Sequence, residues 1–141
     1  MYKFPITQYS HFAELPLDEL NRLKFPVYIL DFNWNYLFIN KAVEEHLGHR
    51  AENLIGRNMW ESFPELGVDP AYKALKKNIE KGVVPRIETV SPVTAKRLSI
   101  TGYALNDCYY FAASVLPDKK NLIDELRNEL IRKKTRPSGG K

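Results

Sequence analysis

Leu47-Gly48-His49-Arg50-Ala51-Glu52-Asn53-Leu54-Ile55-Gly56-Arg57-Asn58-Met59-Trp60-Glu61-Ser62-Phe63-Pro64-Glu65-Leu66 is the stretch whose reading decides the fold. Gly48 and Gly56 can take the left-handed backbone angles that end a helix, and Pro64 cannot continue one. Between these stops Leu47, Leu54, Ile55, Met59, Trp60 and Phe63 place apolar side chains at irregular spacing. The segment therefore fits neither a strand nor one long helix. It reads as three short helical turns forming a wall that needs a sheet to lie against.

Its flanks supply that sheet. Before it, Val27 to Asp31 and Tyr36 to Asn40 are rich in aromatic and branched residues and are joined by Phe32-Asn33-Trp34-Asn35, in which the asparagines tolerate positive φ. Asn40 is placed to cap a helix from Lys41 to Leu47. After the wall, Pro70 to Lys81 carries Tyr72, Leu75 and Ile79 at helical spacing, with Gly82 as its stop. Three strand-like runs follow, Arg86 to Ser91, Lys96 to Leu105 and Tyr109 to Leu116, with Asn106-Asp107 suited to a tight hairpin. In the second run Leu98 and Ile100 alternate with Arg97, Ser99 and Thr101, whereas neither face of the third is polar. Such a sheet must be covered on both sides. The central helices serve one side; the other falls to a helix over Pro16 to Lys24, with Leu17, Leu20 and Leu23 on one face, or to a second subunit.

At the ends, residues 1–11 form an irregular arm. Asp118 to Lys134 reads as a helix capped by Asp118, with Ile123, Leu126 and Leu130 spaced three then four. That is fewer heptads than a secure coiled coil needs. Residues 135–141 form a flexible end.

Composition bounds the class. One domain fits 141 residues, and 44% hydrophobic and 12% aromatic content supports a core and excludes wholesale disorder. The net charge of +4 lies entirely in residues 118–141, with eight Lys or Arg against four Asp or Glu, so residues 1–117 balance at thirteen each. A neutral domain argues against nucleic-acid binding. Cys108 is the single cysteine, which leaves no internal disulfide and favours a reducing compartment. No run approaches the ~20 apolar residues of a membrane helix, and Met1 to Thr7 lack the apolar core of a signal peptide. The expected location is the cytoplasm, as a whole protein or as the cytoplasmic part of a longer one, without membrane insertion.

The order of these pieces resembles the PAS (Per-Arnt-Sim) domain family. It is most similar to the subgroup whose central segment reads Gly, Lys or Arg, two free positions, Trp, then Phe-Pro-Glu; here these are Gly56, Arg57, Asn58, Met59, Trp60, Phe63, Pro64 and Glu65. Asp31, Asn40 and Gly48 extend the resemblance, which spans Phe25 to Leu116. It implies an α+β fold, a five-stranded antiparallel sheet with short central helices on one face and the N-terminal helix near the other. The division that follows is an arm and helix over 1–24, the PAS domain over 25–116, a signalling or coiled-coil helix over 117–134, and a tail over 135–141. Two departures stand out. Trp34-Asn35 occupies a turn where the family has Asp-Gly, and Leu116-Pro117-Asp118 stands where many signalling members have Asp-Ile-Thr.

Chemistry of other kinds finds little support. Glu44, Glu45, His46 and His49 are the one cluster of potential metal ligands, but neighbours on a helix diverge by about 100° and Gly48 intervenes before His49, so a solvated helix face is the simpler reading. No nucleophile elbow or glycine-rich phosphate loop is present. Haem-binding members use a histidine on or beside the long helix, and Pro70 to Gly82 has none; blue-light members read Gly-Arg-Asn-Cys, where this chain has Gly56-Arg57-Asn58-Met59. Haem and flavin are both disfavoured, and no cofactor is expected. Cys108, without an adjacent cation, reads as a protonated core thiol.

The function implied is a non-catalytic sensory or regulatory module of a signal-transduction protein, such as a fragment of or partner to a histidine kinase in a two-component system. It would bind a small apolar ligand or none. The alternative is a ligand-free dimerisation module. The candidate ligand lining is Met59, Trp60, Phe63, Tyr72, Leu75 and Ile79 from the helices, with Ile87, Leu98, Ile100 and Phe111 from the sheet. The candidate homodimer contacts are Leu17, Leu20, Ile123, Leu126 and Leu130.

Overall fold

The computed structural model describes residues 9–117, 123 and 126–131. Five strands, β1 (Val27–Asp31), β2 (Tyr36–Ile39), β3 (Arg86–Val90), β4 (Arg97–Ala104) and β5 (Cys108–Val115), form one sheet in the order β2-β1-β5-β4-β3. Every neighbouring pair is antiparallel. The run without a polar face, β5, is the middle strand, as its composition requires. The chain crosses from β2 at one edge to β3 at the other through α2 (Lys41–Leu47), α3 (Ala51–Leu54), α4 (Met59–Ser62), α5 (Pro64–Gly67) and α6 (Pro70–Glu80). The quoted stretch thus folds as three short helices, with Gly48 at φ 72° ending α2 and Pro64 opening α5 as its first residue.

The helices bury one face of the sheet. Leu54, Met59, Phe63, Leu66, Tyr72, Leu75 and Ile79 pack against Leu30, Tyr36, Leu98, Ile100, Phe111 and Ala113. Ile55, expected in this wall, is instead 42% exposed. Gly102 on β4 lies opposite Phe111, and a Cβ there would stand 2.6 Å from the Phe111 ring. The missing side chain is what lets that ring lie between sheet and α6.

The outer face is covered by the chain's own N-terminal segment. A 3-10 turn over Phe12–Glu14, not foreseen in the sequence, leads into α1 (Leu17–Arg22), for which Pro16 is the cap residue rather than part of the first turn. Leu15 and Leu20 pack with Val27, Ile29, Cys108 and Tyr110, flanked by the half-buried Leu17 and Leu23. The backbone of Phe12 and of Asn106 ties this segment to the β4–β5 turn, through Asp107 Oδ1 at 2.9 Å and the Ser10 carbonyl at 2.8 Å. Leu20 therefore cannot serve as the dimer contact expected of it: its side chain has no exposed surface and is spent on its own sheet.

Two local features set the geometry of the inner face. In the β1–β2 turn the left-handed residue is Trp34 at φ 67°, not an asparagine. Asp31 explains it: its Oδ1 accepts from the backbone N–H of Asn33 and Asn35, both at 2.9 Å, and its carbonyl accepts from Trp34 N–H. The indole is drawn inward and its Nε1 donates to Glu80 on α6 at 3.1 Å. In β2 the pairing with β1 slips, Ile29 lying opposite Phe38 but Leu30 opposite Tyr36. This bulge puts Tyr36 and Ile39 on the inner face while Leu37 and Phe38 both join the outer cluster.

At the C-terminal end, Ile123 and residues 126–131 are helical, and Ile123, Leu126, Leu130 and Ile131 are exposed. The cap expected at Asp118 lies outside the described residues, as do residues 1–8 of the arm and the tail over 135–141.

Candidate functional site

Between the helices and the inner face lies a cavity of about 50 Å³. Its floor is Tyr28 from β1, Tyr36 from β2, Leu98 and Ile100 from β4, and Ala113 from β5. Its roof is Val43, His46 and Leu47 from α2, Met59 from α4, Phe63, Leu66 from α5, and Tyr72 from α6. Ser91 and Val93, from the loop between β3 and β4, close one side together with Pro26. Among the described residues no Asp, Glu, Lys or Arg lines it.

Of the candidate lining residues, Met59, Phe63, Tyr72, Leu98 and Ile100 do reach the cavity. Trp60, Leu75, Ile79, Ile87 and Phe111 do not. Trp60 packs beside Trp34 at 5.2 Å between ring centroids, and Phe111 stacks on Tyr28 at 5.1 Å. Leu75 and Ile79 are close-packed core, with Ile87 at its margin. Ten lining residues were not foreseen in the sequence, Tyr28 and Tyr36 among them. Antiparallel pairing of Tyr28 with Phe111 would have revealed the first, but only once β1 was known to neighbour β5.

The polar groups of the cavity are mostly hydroxyls. Burial holds the Tyr28 and Tyr36 phenols well above their ordinary value of 10.0, reinforced by the other tyrosines of the group, and burial pushes Tyr72 up to about 12. All three stay protonated near neutral pH. The Ser91 hydroxyl lies within hydrogen-bonding reach of the Tyr72 phenol while its oxygen accepts from the backbone N–H of Val93 at 3.1 Å and Thr94 at 3.3 Å. These bonds curl the β3–β4 loop, in which Ala95 takes φ 62°.

One side-chain contact joins this loop to α2, His46 Nε2 to Thr94 Oγ1 at 3.3 Å. Burial, and then the charge of Lys96, lowers the histidine pKa from its ordinary 6.5. The neutral ring can accept the Thr94 hydroxyl proton, since Thr94 Oγ1 itself accepts from Lys96 N–H at 3.3 Å. His49 instead sets its ring edge-on to Phe63. Among the described residues, no group of three or more His, Cys, Asp or Glu side chains could hold a metal ion. Cys108 sits in the outer cluster, where burial, then the hydrogen bond and charge of Asp107, push its thiol up to about 12.

An α+β domain with an antiparallel sheet in this strand order and short helices over one face defines the class. A family model described as PAS fold matches residues 20–97, more than half of the chain, and the protein belongs to that family. No curated protein matches the sequence. Solved structures with the same fold include the photoactive yellow protein domain of the sensor histidine kinase Ppr from Rhodospirillum centenum, at 19% identity and a TM-score of 0.60 over 72% of this chain and 94% of that one. The PAS domain of BvgS from Bordetella pertussis is 15% identical, with a TM-score of 0.58 over 82% of this chain and 94% of that one. The PAS domain of the Cronobacter turicensis quorum-sensing receptor RpfR, in complex with BDSF, is 17% identical, with a TM-score of 0.54 over 68% and 97%. Among the described residues no helix is long and apolar enough to cross a membrane.

Proposed function

We propose that the chain is a non-catalytic sensory module of a cytoplasmic signal-transduction protein, with residues 25–116 as sensor and 117–134 as the helix leading to a histidine kinase or other output domain. Its cavity takes one very small uncharged molecule. The observation that carries this reading is the cavity itself, which is walled by apolar side chains and neutral phenols and linked to the β3–β4 loop through His46 and Thr94. Its volume of about 50 Å³ is far below the roughly 300–1,000 Å³ of sites for drug-sized ligands. The lack of a histidine on α6 and Met59 in place of a cysteine support a sensor that carries neither haem nor flavin. Xenon, an uncharged probe for apolar cavities, tests the reading: NMR of the full chain under xenon pressure should shift the methyls of Val43, Leu98 and Ile100. Unmoved methyls would overturn the sensor reading.

A second reading, a dimerisation module, is supported by the exposed apolar residues Ile123, Leu126, Leu130 and Ile131 on the C-terminal helix. Leu17, half-buried against the protein's own core, adds little to such a contact. Light scattering should then give a dimer mass that Leu126→Lys lowers, with the circular dichroism of the domain unchanged; a monomer at high concentration would exclude it.

A further inference from the structure

We propose that the inner cavity is a hydrogen-bond-donor site for a neutral carbonyl compound of about four non-hydrogen atoms, held by the hydroxyls of Tyr28, Tyr36 and Tyr72. This deepens the sensor reading and rests on it.

Ring packing alone does not account for the hydroxyls of Tyr28 and Tyr36. Tyr28 stacks on Phe111 and meets Tyr36 edge-on at 6.4 Å between centroids. Phenylalanine would make both contacts and would spare the desolvation of two hydroxyls. Among the described residues, neither the Tyr28 nor the Tyr36 hydroxyl has a hydrogen bond to a protein group, and both side chains line the cavity, Tyr36 buried and Tyr28 partly buried. Tyr72 arrives from α6, on the opposite wall, and lines the same cavity. Ser91 can donate to the Tyr72 oxygen, which leaves the Tyr72 O–H free to point into the cavity.

Three elements distant in sequence therefore bring O–H donors to one small, otherwise apolar space. Donors require an acceptor. Burial keeps the phenols protonated, so each retains an O–H to donate even where its oxygen accepts from a neighbour. An anion is excluded because no Lys or Arg among the described residues lines the cavity and the His46 pKa is lowered. What remains is a neutral oxygen acceptor on a small body: a ketone, an aldehyde, a primary amide, or a short carboxylic acid in its protonated form. The size limit follows from the cavity volume of about 50 Å³, against roughly 10–15 Å³ for one water-sized sphere.

The experiment compares two probes of equal shape, acetone and isobutene, which differ only in C=O against C=CH₂. NMR titration of the full chain with carbonyl-labelled acetone should show binding about tenfold tighter than isobutene, with the carbonyl resonance moved as hydrogen bonding moves it. The double variant Tyr28→Phe/Tyr36→Phe should bring acetone down to the isobutene affinity while isobutene still binds. Equal affinities with an unmoved carbonyl resonance would overturn the donor site yet leave the sensor reading standing. Rejection of both probes while xenon enters would do the same, and exclusion of xenon as well would remove both readings. If the double variant does not fold, the two probes on the unaltered chain decide the matter alone.

Discussion

Asn40 offers the sharpest test of how this fold is held. Its side chain has no exposed surface. The Oδ1 atom accepts from the N–H groups of Val27 and Val43, both at 3.1 Å, and Nδ2 donates to the carbonyls of Leu20 and Phe25, both at 3.0 Å. One residue thus joins α1, the entry to β1 and the first turn of α2. Asn40→Ala removes all four bonds. Val43 N–H keeps the Asn40 carbonyl at 3.0 Å and the Leu20 carbonyl keeps Leu23 N–H at 3.3 Å, but Val27 N–H is stranded in the interior. With about 1–3 kcal/mol for the stranded group and about 0.5–1.5 for each of the other three bonds, the loss comes to roughly 2.5–7.5 kcal/mol. That is a large part of a typical domain's stability and a drop in Tm of roughly 10–25 °C. Urea denaturation followed by the fluorescence of Trp34 and Trp60 measures it. Asn58 is the control: it caps α4 through Trp60 N–H at 3.0 Å and Glu61 N–H at 3.1 Å and donates Nδ2 to the Asn33 carbonyl at 2.9 Å, closer to solvent, so Asn58→Ala should cost only about 1–2 kcal/mol. Asn40→Asp keeps both acceptor roles but turns an oxygen toward two carbonyls. Its carboxyl would have a raised pKa in the folded state, so the defect should grow as pH rises through the carboxylate range and ease in acid. An Asn40→Ala variant within 1 kcal/mol of the unaltered protein at equal denaturant slope would refute the reasoning.

Other outcomes follow from the same structure. Gly102→Ala places a methyl 2.6 Å and 2.8 Å from Phe111 ring atoms and 3.1 Å from Ile79 Cδ1, and should lower stability by about 1–3 kcal/mol in thermal denaturation. His46 has a lowered folded pKa, so the unfolded chain binds more protons below its ordinary value of 6.5 and stability falls as pH drops through that window; His46→Gln should flatten the acid limb of a Tm-against-pH curve. Cys108, buried and with its thiol pushed up to about 12, should react with a thiol reagent at mildly alkaline pH only as fast as the domain opens, and at once in denaturant. Prompt labelling of the native protein would place that thiol outside the core.

Much of the fold is legible in the sequence because its signals are local. Gly48, Gly56 and Pro64 break the helices whatever surrounds them, Asn40 caps α2 through Val43 N–H, and Leu98 and Ile100 alternate with polar neighbours strongly enough to point both inward. The absence of a polar face on the last strand requires cover on two sides, and β5 is indeed central. What that cover would be is not local information. Leu20 could as well have met a second chain; only tertiary packing shows it against Ile29 and Tyr110 of its own sheet.

The cavity is less legible, for the same reason. Tyr72 faces it because a helical period states which side of α6 is apolar, but Leu75 and Ile79 on that same side are already filled by neighbours. Tyr36 faces it because β2 bulges, and a bulge breaks the alternation from which facing is inferred. Trp34 enters the core through a positive φ that Asp31 stabilises across a turn. Residue type and spacing determined the layers of this protein. Register, bulges and side-chain volume decided where between those layers a space of about 50 Å³ stays open, because such a remainder depends on every neighbour at once and on no single stretch of chain.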